Sequence, residues 1–300
     1  MSSTVESILL VTNVDAGSAD DERLSAAVAG LRGSTAVEVC FTSHPSELDE
    51  VLDRLEGRRL VVAGGDGSLH NVIAALARRK ELKQTVLGLI PVGTGNDFAR
   101  GAGIPLDPVA AARVVLIGTA HPIDLVVDDG GNVVVNNVRM GMGAEASRKA
   151  HKWKERLGRL GYAIGAAQAA LRPPSLRLLV QVDEEVVAEV DRPVLDVSIG
   201  NGAAVGGGVP VNPEADPRSG QMDLMISFAV GQLAHVSYGI DLLRSRHLAR
   251  KDVLHRNGNV VSISGTPFHS SCDGEVVGPI SDRTWRVEKS AFEMTLPDET

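Results

Sequence analysis

Leu60-Val61-Val62-Ala63-Gly64-Gly65-Asp66-Gly67-Ser68-Leu69-His70-Asn71 decides the reading of this chain: an apolar run breaks into glycines, then resumes as Val72-Ile73-Ala74-Ala75-Leu76. An apolar run that short, closed by Gly-Gly and followed by a helical pattern, predicts a buried strand, a tight turn and a helix start. Such a turn suits phosphate. Glycines admit an anion close to the backbone, and the free N–H groups and positive dipole end of the helix favour negative charge there. The pattern is neither Gly-x-Gly-x-x-Gly nor a P-loop with its Lys, which argues against a dinucleotide dehydrogenase and a P-loop NTPase. Asp66 has two readings: a carboxylate facing phosphates through a metal, a Lys or a water, as phosphoryl transfer uses, or a cap for the helix.

Val86-Leu87-Gly88-Leu89-Ile90-Pro91-Val92 predicts a second buried strand, followed by Gly93-Thr94-Gly95-Asn96-Asp97-Phe98-Ala99-Arg100-Gly101. Two adjacent strand-to-helix turns, each with Gly, a hydroxyl and an Asp, are placed to converge at the carboxyl edge of one parallel sheet. Working outward, Ile8–Thr12 and Ala36–Phe41 read as strands, and Glu22–Leu31, Ser46–Leu55 and Pro108–Ile117 as helices. The alternation stops at His121-Pro122-Ile123-Asp124. From Leu125 onward strands are separated by turn signals such as Asp128-Asp129-Gly130-Gly131-Asn132 and Asn257-Gly258-Asn259. An α/β domain over 1–124 and a β-rich domain over 125–290 follow. One basic helix interrupts the second, at about 147–171, with Arg148, Lys149, Lys152, Trp153 and Lys154 in its first half. It reads either as a surface for anionic headgroups or phosphates, or as the solvated face of an ordinary helix.

Hydrophobic residues make up 43% of the chain and aromatics only 3%, so the cores rest on close-packed small aliphatic side chains. A formal net charge of −8 argues against sequence-independent binding to nucleic acid or to anionic lipid, unless a local basic patch overrides the average. Cys40 and Cys272 lack metal-ligand spacing and read as unpaired thiols in a reducing compartment. No basic n-region precedes Ile8-Leu9-Leu10-Val11, and no run reaches the ~18 apolar residues of a membrane-spanning helix. The expectation is a cytoplasmic protein that meets any lipid substrate transiently at a membrane surface. Exposed strand edges leave room for a homodimer.

Gly-Gly-Asp-Gly-Ser at Gly64–Ser68, with Pro91-Val-Gly-Thr-Gly-Asn-Asp-Phe-Ala-Arg100, resembles the diacylglycerol kinase catalytic-domain family, which includes bacterial lipid kinases and sphingosine kinases and is distantly related to NAD kinases. The likeness runs through nearly the whole chain, because Asn136–Ala144, Gly206–Gly208 and Cys272-Asp-Gly-Glu275 fall in family order. The resemblance implies a Rossmann-like parallel α/β domain and a mostly antiparallel β-sandwich domain, with the active site in the cleft between them and residues 291–300 packing back on the first. It implies an ATP-dependent kinase, with Mg²⁺, that phosphorylates the hydroxyl of diacylglycerol or a related lipid alcohol.

By the same resemblance, Asn13, Gly17, Thr42, Gly64, Gly65, Asp66, Gly67, Ser68, Leu69, His70, Asn71, Gly93, Thr94, Gly95 and Asn96 hold the nucleotide. Asp66 and Asp97 hold Mg²⁺, directly or through water. One of Asp273 and Glu275 is the general base, and the other orients it or the metal. A structural cation site maps onto Asp216, Ser219 and Gln221, where Ser219 stands in place of the family's Asp. Asp15 stands where a Lys is common and Asn71 where Glu is usual, so two alternatives accompany the lipid-kinase reading: an NAD kinase-like enzyme, and a catalytically weakened homologue that binds nucleotide or lipid. Against the former, Asn136-Asn137 is followed by Val138 rather than by the Glu of a ribose-binding Asn-Glu pair.

Overall fold

The computed structural model describes residues 7–13, 18–147 and 175–298. The chain divides into two compact units, Met1–Leu125 with Lys289–Thr300, and Val126–Glu288. Gly17, Asp15 and nearly all of the basic 147–171 segment lie outside the described residues.

In the first unit, strands β1 (Ser7–Asn13), β2 (Ala36–Thr42), β3 (Arg59–Gly64) and β4 (Val86–Pro91) run parallel in the order β2-β1-β3-β4. Helices α1 (Ser18–Arg32), α2 (Leu48–Asp53), α3 (Asp66–Arg79), α4 (Asp97–Gly101) and α5 (Pro108–Ile117) connect and cover them. The middle strands are apolar throughout because both sheet faces are covered, which is the condition that parallel sheets meet. Ile8, Leu10, Val61, Ala63 and Ile90 pack with Leu24, Ala27, Val28, Ala112 and Val115 of α1 and α5. Alternation turns Val11 and Val62 to the other face, toward α2 and α3.

In the second unit, β7 (Asn137–Gly141), β8 (Leu178–Val182), β9 (Glu185–Ala188), β10 (Asp196–Gly200), β11 (Met222–Ser227), β12 (Val253–Gly258) and β13 (Val260–Cys272) pair antiparallel. β5 (Thr119–Asp128) and the short β6 (Val133–Val134) add a further antiparallel pair. β14 (Glu275–Leu296) pairs antiparallel with β13 along its first part. Its residues from Lys289 belong to the first unit, where Glu293 and Met294 pair parallel with Val86 and Leu87 of β4. β11 is buried on both faces. Met222, Leu224 and Ile226 join a core around Trp285 and Phe268, while Met225 packs under helix α6 (Gln232–Leu243) with Tyr238 and Leu242.

A buried ion pair ties α6 to the sheet. Asp196 in β10, fully buried, accepts from the Arg139 guanidinium of β7, from the Gly143 N–H at 2.8 Å and from the Tyr238 hydroxyl of α6 at 3.4 Å. Burial pushes the Asp196 carboxyl up, and Arg139 with the Gly143 N–H opposes that. Removing one member of a buried pair leaves the other charged and unpartnered, at a cost of about 3–5 kcal/mol. Asp196→Ala is therefore expected to lower the unfolding free energy by about that amount, read by urea titration. The buried thiols give a second check. Cys40 and Cys272 are free, and burial followed by the charge of Asp273 pushes Cys272 up to about 12, so neither thiol should react with a disulfide reagent at pH 8 until the chain unfolds.

Candidate active site

The two glycine corners close on each other. β3 and β4 pair Gly64 with Pro91, so both chains leave the sheet at the same edge, and the Val92 N–H donates to the Gly64 carbonyl at 3.2 Å. A Cβ on Gly93 would stand 2.4 Å from the Gly65 Cα, a distance only glycine permits. Asn96, in the left-handed region at φ 54°, folds the second corner by accepting from the Gly93 N–H at 3.1 Å and donating to the Gly93 carbonyl at 2.7 Å. Asp66 is the cross-link. Its carboxylate accepts from the backbone N–H groups of Asp97 (3.0 Å) and Phe98 (2.9 Å) at the start of α4. It therefore caps a helix, but the helix of the neighbouring corner and not its own.

That leaves α3 without a cap. Gly65 stands at its N-cap with no side-chain hydrogen bond, and the N–H groups of Gly67 and Ser68 have no acceptor among the described residues. A 14-residue helix so ended offers two bare donors and its positive dipole end to an anion. Beside it lies an open hollow at the carboxyl ends of β1, β2 and β3, where strand order reverses. Asn13, Thr42, Ser68 and Asn71 line it, with an apolar wall of Val11, Leu48, Val62 and Val72. Thr12 also borders it, but its side chain alternates with Val11 to the face of Ile8 and Leu10, where the buried hydroxyl has no hydrogen-bond partner among the described residues.

Leu69 is placed differently: it is buried, and its N–H is spent on the Gly65 carbonyl at 3.1 Å. Thr94 is exposed, and the Gly95 carbonyl accepts from the Arg100 guanidinium at 3.2 Å. Asp97 is buried, and it is its backbone N–H that meets the Asp66 carboxylate. Thr12, Ser43, His44 and Pro45 line the hollow without having been singled out by motif; their signal is position, each flanking Asn13 or Thr42 at a strand's carboxyl end.

In the second unit, Asp273 and Gly274, both at positive φ (49° and 97°), make the two-residue turn from β13 to β14. The Asp273 carboxylate accepts three backbone N–H groups, those of Val135 (2.7 Å), Asn136 (2.9 Å) and Asn137 (3.0 Å). The Asn136 carbonyl in turn accepts from the N–H groups of Asn201 and Gly202, so Asn136-Asn137 is the hub of this end of the sheet. Glu275, two residues on, is exposed and has no partner among the described residues.

Asp216, Ser219 and Gln221 are joined by hydrogen bonds within their own loop. The Asp216 carbonyl accepts from the Ser219 N–H, its carboxylate accepts from the Arg218 N–H at 2.9 Å, and the Ser219 hydroxyl donates to the Gln221 carbonyl at 3.1 Å. Ser219 and Gln221 stay exposed in this loop, and the nearby Asp223 is held by His255 and Asn212. Among the described residues no group of three or more His, Cys, Asp or Glu is arranged to hold a metal.

A parallel α/β unit with an uncapped helix start beside a polar hollow, followed by an antiparallel β unit, is the architecture of a known family of kinases. Residues 7–127 match the diacylglycerol kinase catalytic domain, and residues 136–295, more than half of the chain, match the YegS C-terminal NAD kinase beta sandwich-like domain. The chain belongs to this family, that of the YegS-like lipid kinases. It is 31% identical over 248 residues to a "Probable lipid kinase YegS-like" of Xanthomonas campestris pv. campestris, covering 79% of this chain and 77% of the relative. A "Diacylglycerol kinase" of Mycobacterium tuberculosis is 28% identical over 228 residues, covering 74% and 71%. The fold is shared with a crystal structure of a diacylglycerol kinase from Bacillus anthracis, with TM-score 0.74, 18% identity and 99% of each chain covered.

Two outcomes test this geometry. Gly93→Ala must push Gly65 away, with an expected loss of about 1–3 kcal/mol in stability, read by thermal unfolding. The self-satisfied turn at 216–221 predicts that EDTA, added without nucleotide, leaves the melting temperature unchanged.

Proposed function

We propose that this chain is an ATP-dependent kinase of a lipid alcohol, with diacylglycerol or a close relative as acceptor. The observation that carries the reading is the uncapped start of α3 beside a hollow lined by Asn13, Thr42, Ser68 and Asn71. The names of the relatives support the acceptor class. In this reading the N–H groups of Gly67 and Ser68 take phosphate oxygens, and Asn13, Thr42 and Asn71 supply polar contacts to the rest of the nucleotide. Asp66 and Asp97 hold Mg²⁺, directly or through water. Both Asp66 oxygens are oriented by N–H bonds and keep further lone pairs for that task. Magnesium, when bound, offsets phosphate charge; the chain's own part is to position, since phosphoryl transfer is mostly orientation and charge neutralisation.

Of the two candidate bases, Glu275 is the one with a free carboxylate. It takes the proton of the lipid hydroxyl as that oxygen bonds to the γ-phosphorus and the bond to the ADP oxygen breaks. Asp273, committed to three N–H groups, holds the turn that presents Glu275. Glu275→Gln should lower kcat by about 10²–10⁴-fold with the KM for ATP within a few-fold. Asp273→Asn should instead cost about 1–3 kcal/mol of stability, because an amide nitrogen cannot accept an N–H. Labelled ATP offered with mixed lipid alcohols and with NAD decides the reaction. A phosphorylated lipid is expected; a dinucleotide product or no product overturns the reading.

A further inference from the structure

Helix α6 is apolar on two opposite sides. His235, Tyr238 and Leu242 are buried against the sheet. Leu233, Val236, Ile240 and Leu243, at spacings of three, four and three, are exposed by 87%, 53%, 44% and 71%. At 3.6 residues per turn these four fall in one narrow stripe, which extends about 15 Å along the helix and points to solvent. Val230, just before the helix, continues it at 38% exposure. A surface helix ordinarily turns charge to water, and an outward apolar stripe marks a surface that meets something.

The flanking charge selects the partner. Arg244, Arg246 and Lys251 follow the stripe, all exposed and none with an acidic partner among the described residues, in a chain whose net charge is −8. The one acidic side chain on the helix, Asp241, is held by Arg250 at 2.7 Å. A standard protein–protein interface takes roughly 20–30 residues a side, apolar and polar together, and this stripe supplies five exposed apolar ones. A bilayer asks for less: an apolar stripe to enter the acyl boundary and cations to meet anionic headgroups. We propose that α6 with Arg244, Arg246 and Lys251 is an interfacial anchor that lays the second unit on an anionic lipid surface. This rests on the lipid-kinase reading only for its purpose, since the surface itself is defined by its residues.

The test is sedimentation of the full chain with vesicles of phosphatidylcholine and phosphatidylglycerol in equal parts, against phosphatidylcholine alone. Wild type should bind the anionic vesicles, more weakly as salt rises. Leu233→Gln with Leu243→Gln should weaken binding at least tenfold at an unchanged melting temperature, because both side chains are exposed. Arg244→Ser with Arg246→Ser should lower binding to anionic vesicles only. Wild-type binding that the Gln pair leaves intact, or no binding by wild type, overturns the anchor. So does a dimer in ultracentrifugation that the Gln pair dissociates, which would assign the stripe to a second copy of the chain. A parallel assay on a detergent-dispersed short-chain diacylglycerol separates the two readings. The Gln pair should turn over dispersed substrate as wild type does while losing turnover on vesicles; vesicle binding with no turnover on either substrate keeps the anchor and removes the kinase.

Discussion

The Asp66 carboxylate is the constraint on which the first unit's site depends. By accepting the N–H groups of Asp97 and Phe98 it fastens one glycine corner to the next, and the bare contact between Gly65 and Gly93 lets them lie close enough for that bond. A side chain that capped its own helix would satisfy α3 and leave nothing for a ligand. Because Asp66 is spent on the neighbour, the start of α3 stays open beside Thr12, Asn13 and Asn71. The economy is local, but it sets where an anion can sit.

The second unit uses a carboxylate in the same way. Asp273 gathers three backbone N–H groups from Val135 to Asn137 and so fixes the Asp-Gly turn, while the neighbouring Glu275 is left unoccupied by the fold. In both units an acidic side chain within a Gly-containing motif builds the backbone, and the groups beside it remain available to chemistry. The loop from Asp216 to Gln221 also closes on itself through hydrogen bonds, with the Ser219 hydroxyl donating to the Gln221 carbonyl.

Much of the fold is legible in the sequence because its signals are local. Short apolar runs ended by glycine announce the strands of a parallel sheet, and the change to turn-punctuated strands after Asp124 announces the antiparallel part. What resists reading depends on distance. Ser43 and His44 carry no motif; only the strand order brings them to a hollow beside Ser68 and Asn71. Asp66 reads as a cap for the helix it begins, and only the packing of Gly65 on Gly93 reveals a different helix as its partner. Asp273 and Glu275 carry the same chemical group, and only the folded chain shows that the Asp273 carboxylate accepts three N–H groups from residues 136 to 138 positions earlier. On α6, periodicity marks the apolar positions without saying which of the two sides turns inward.

β14 has a consequence for how the protein is made. The strand neighbour of β4 comes from Glu293 and Met294, more than 200 residues further along the chain. During synthesis the rim of β4, the strand that leads into Gly93, therefore stays bare while the whole second unit emerges from the ribosome. A nascent chain spends that interval with an unpaired edge in its nucleotide-fold half, the stage at which a chaperone or a stray strand finds something to grip.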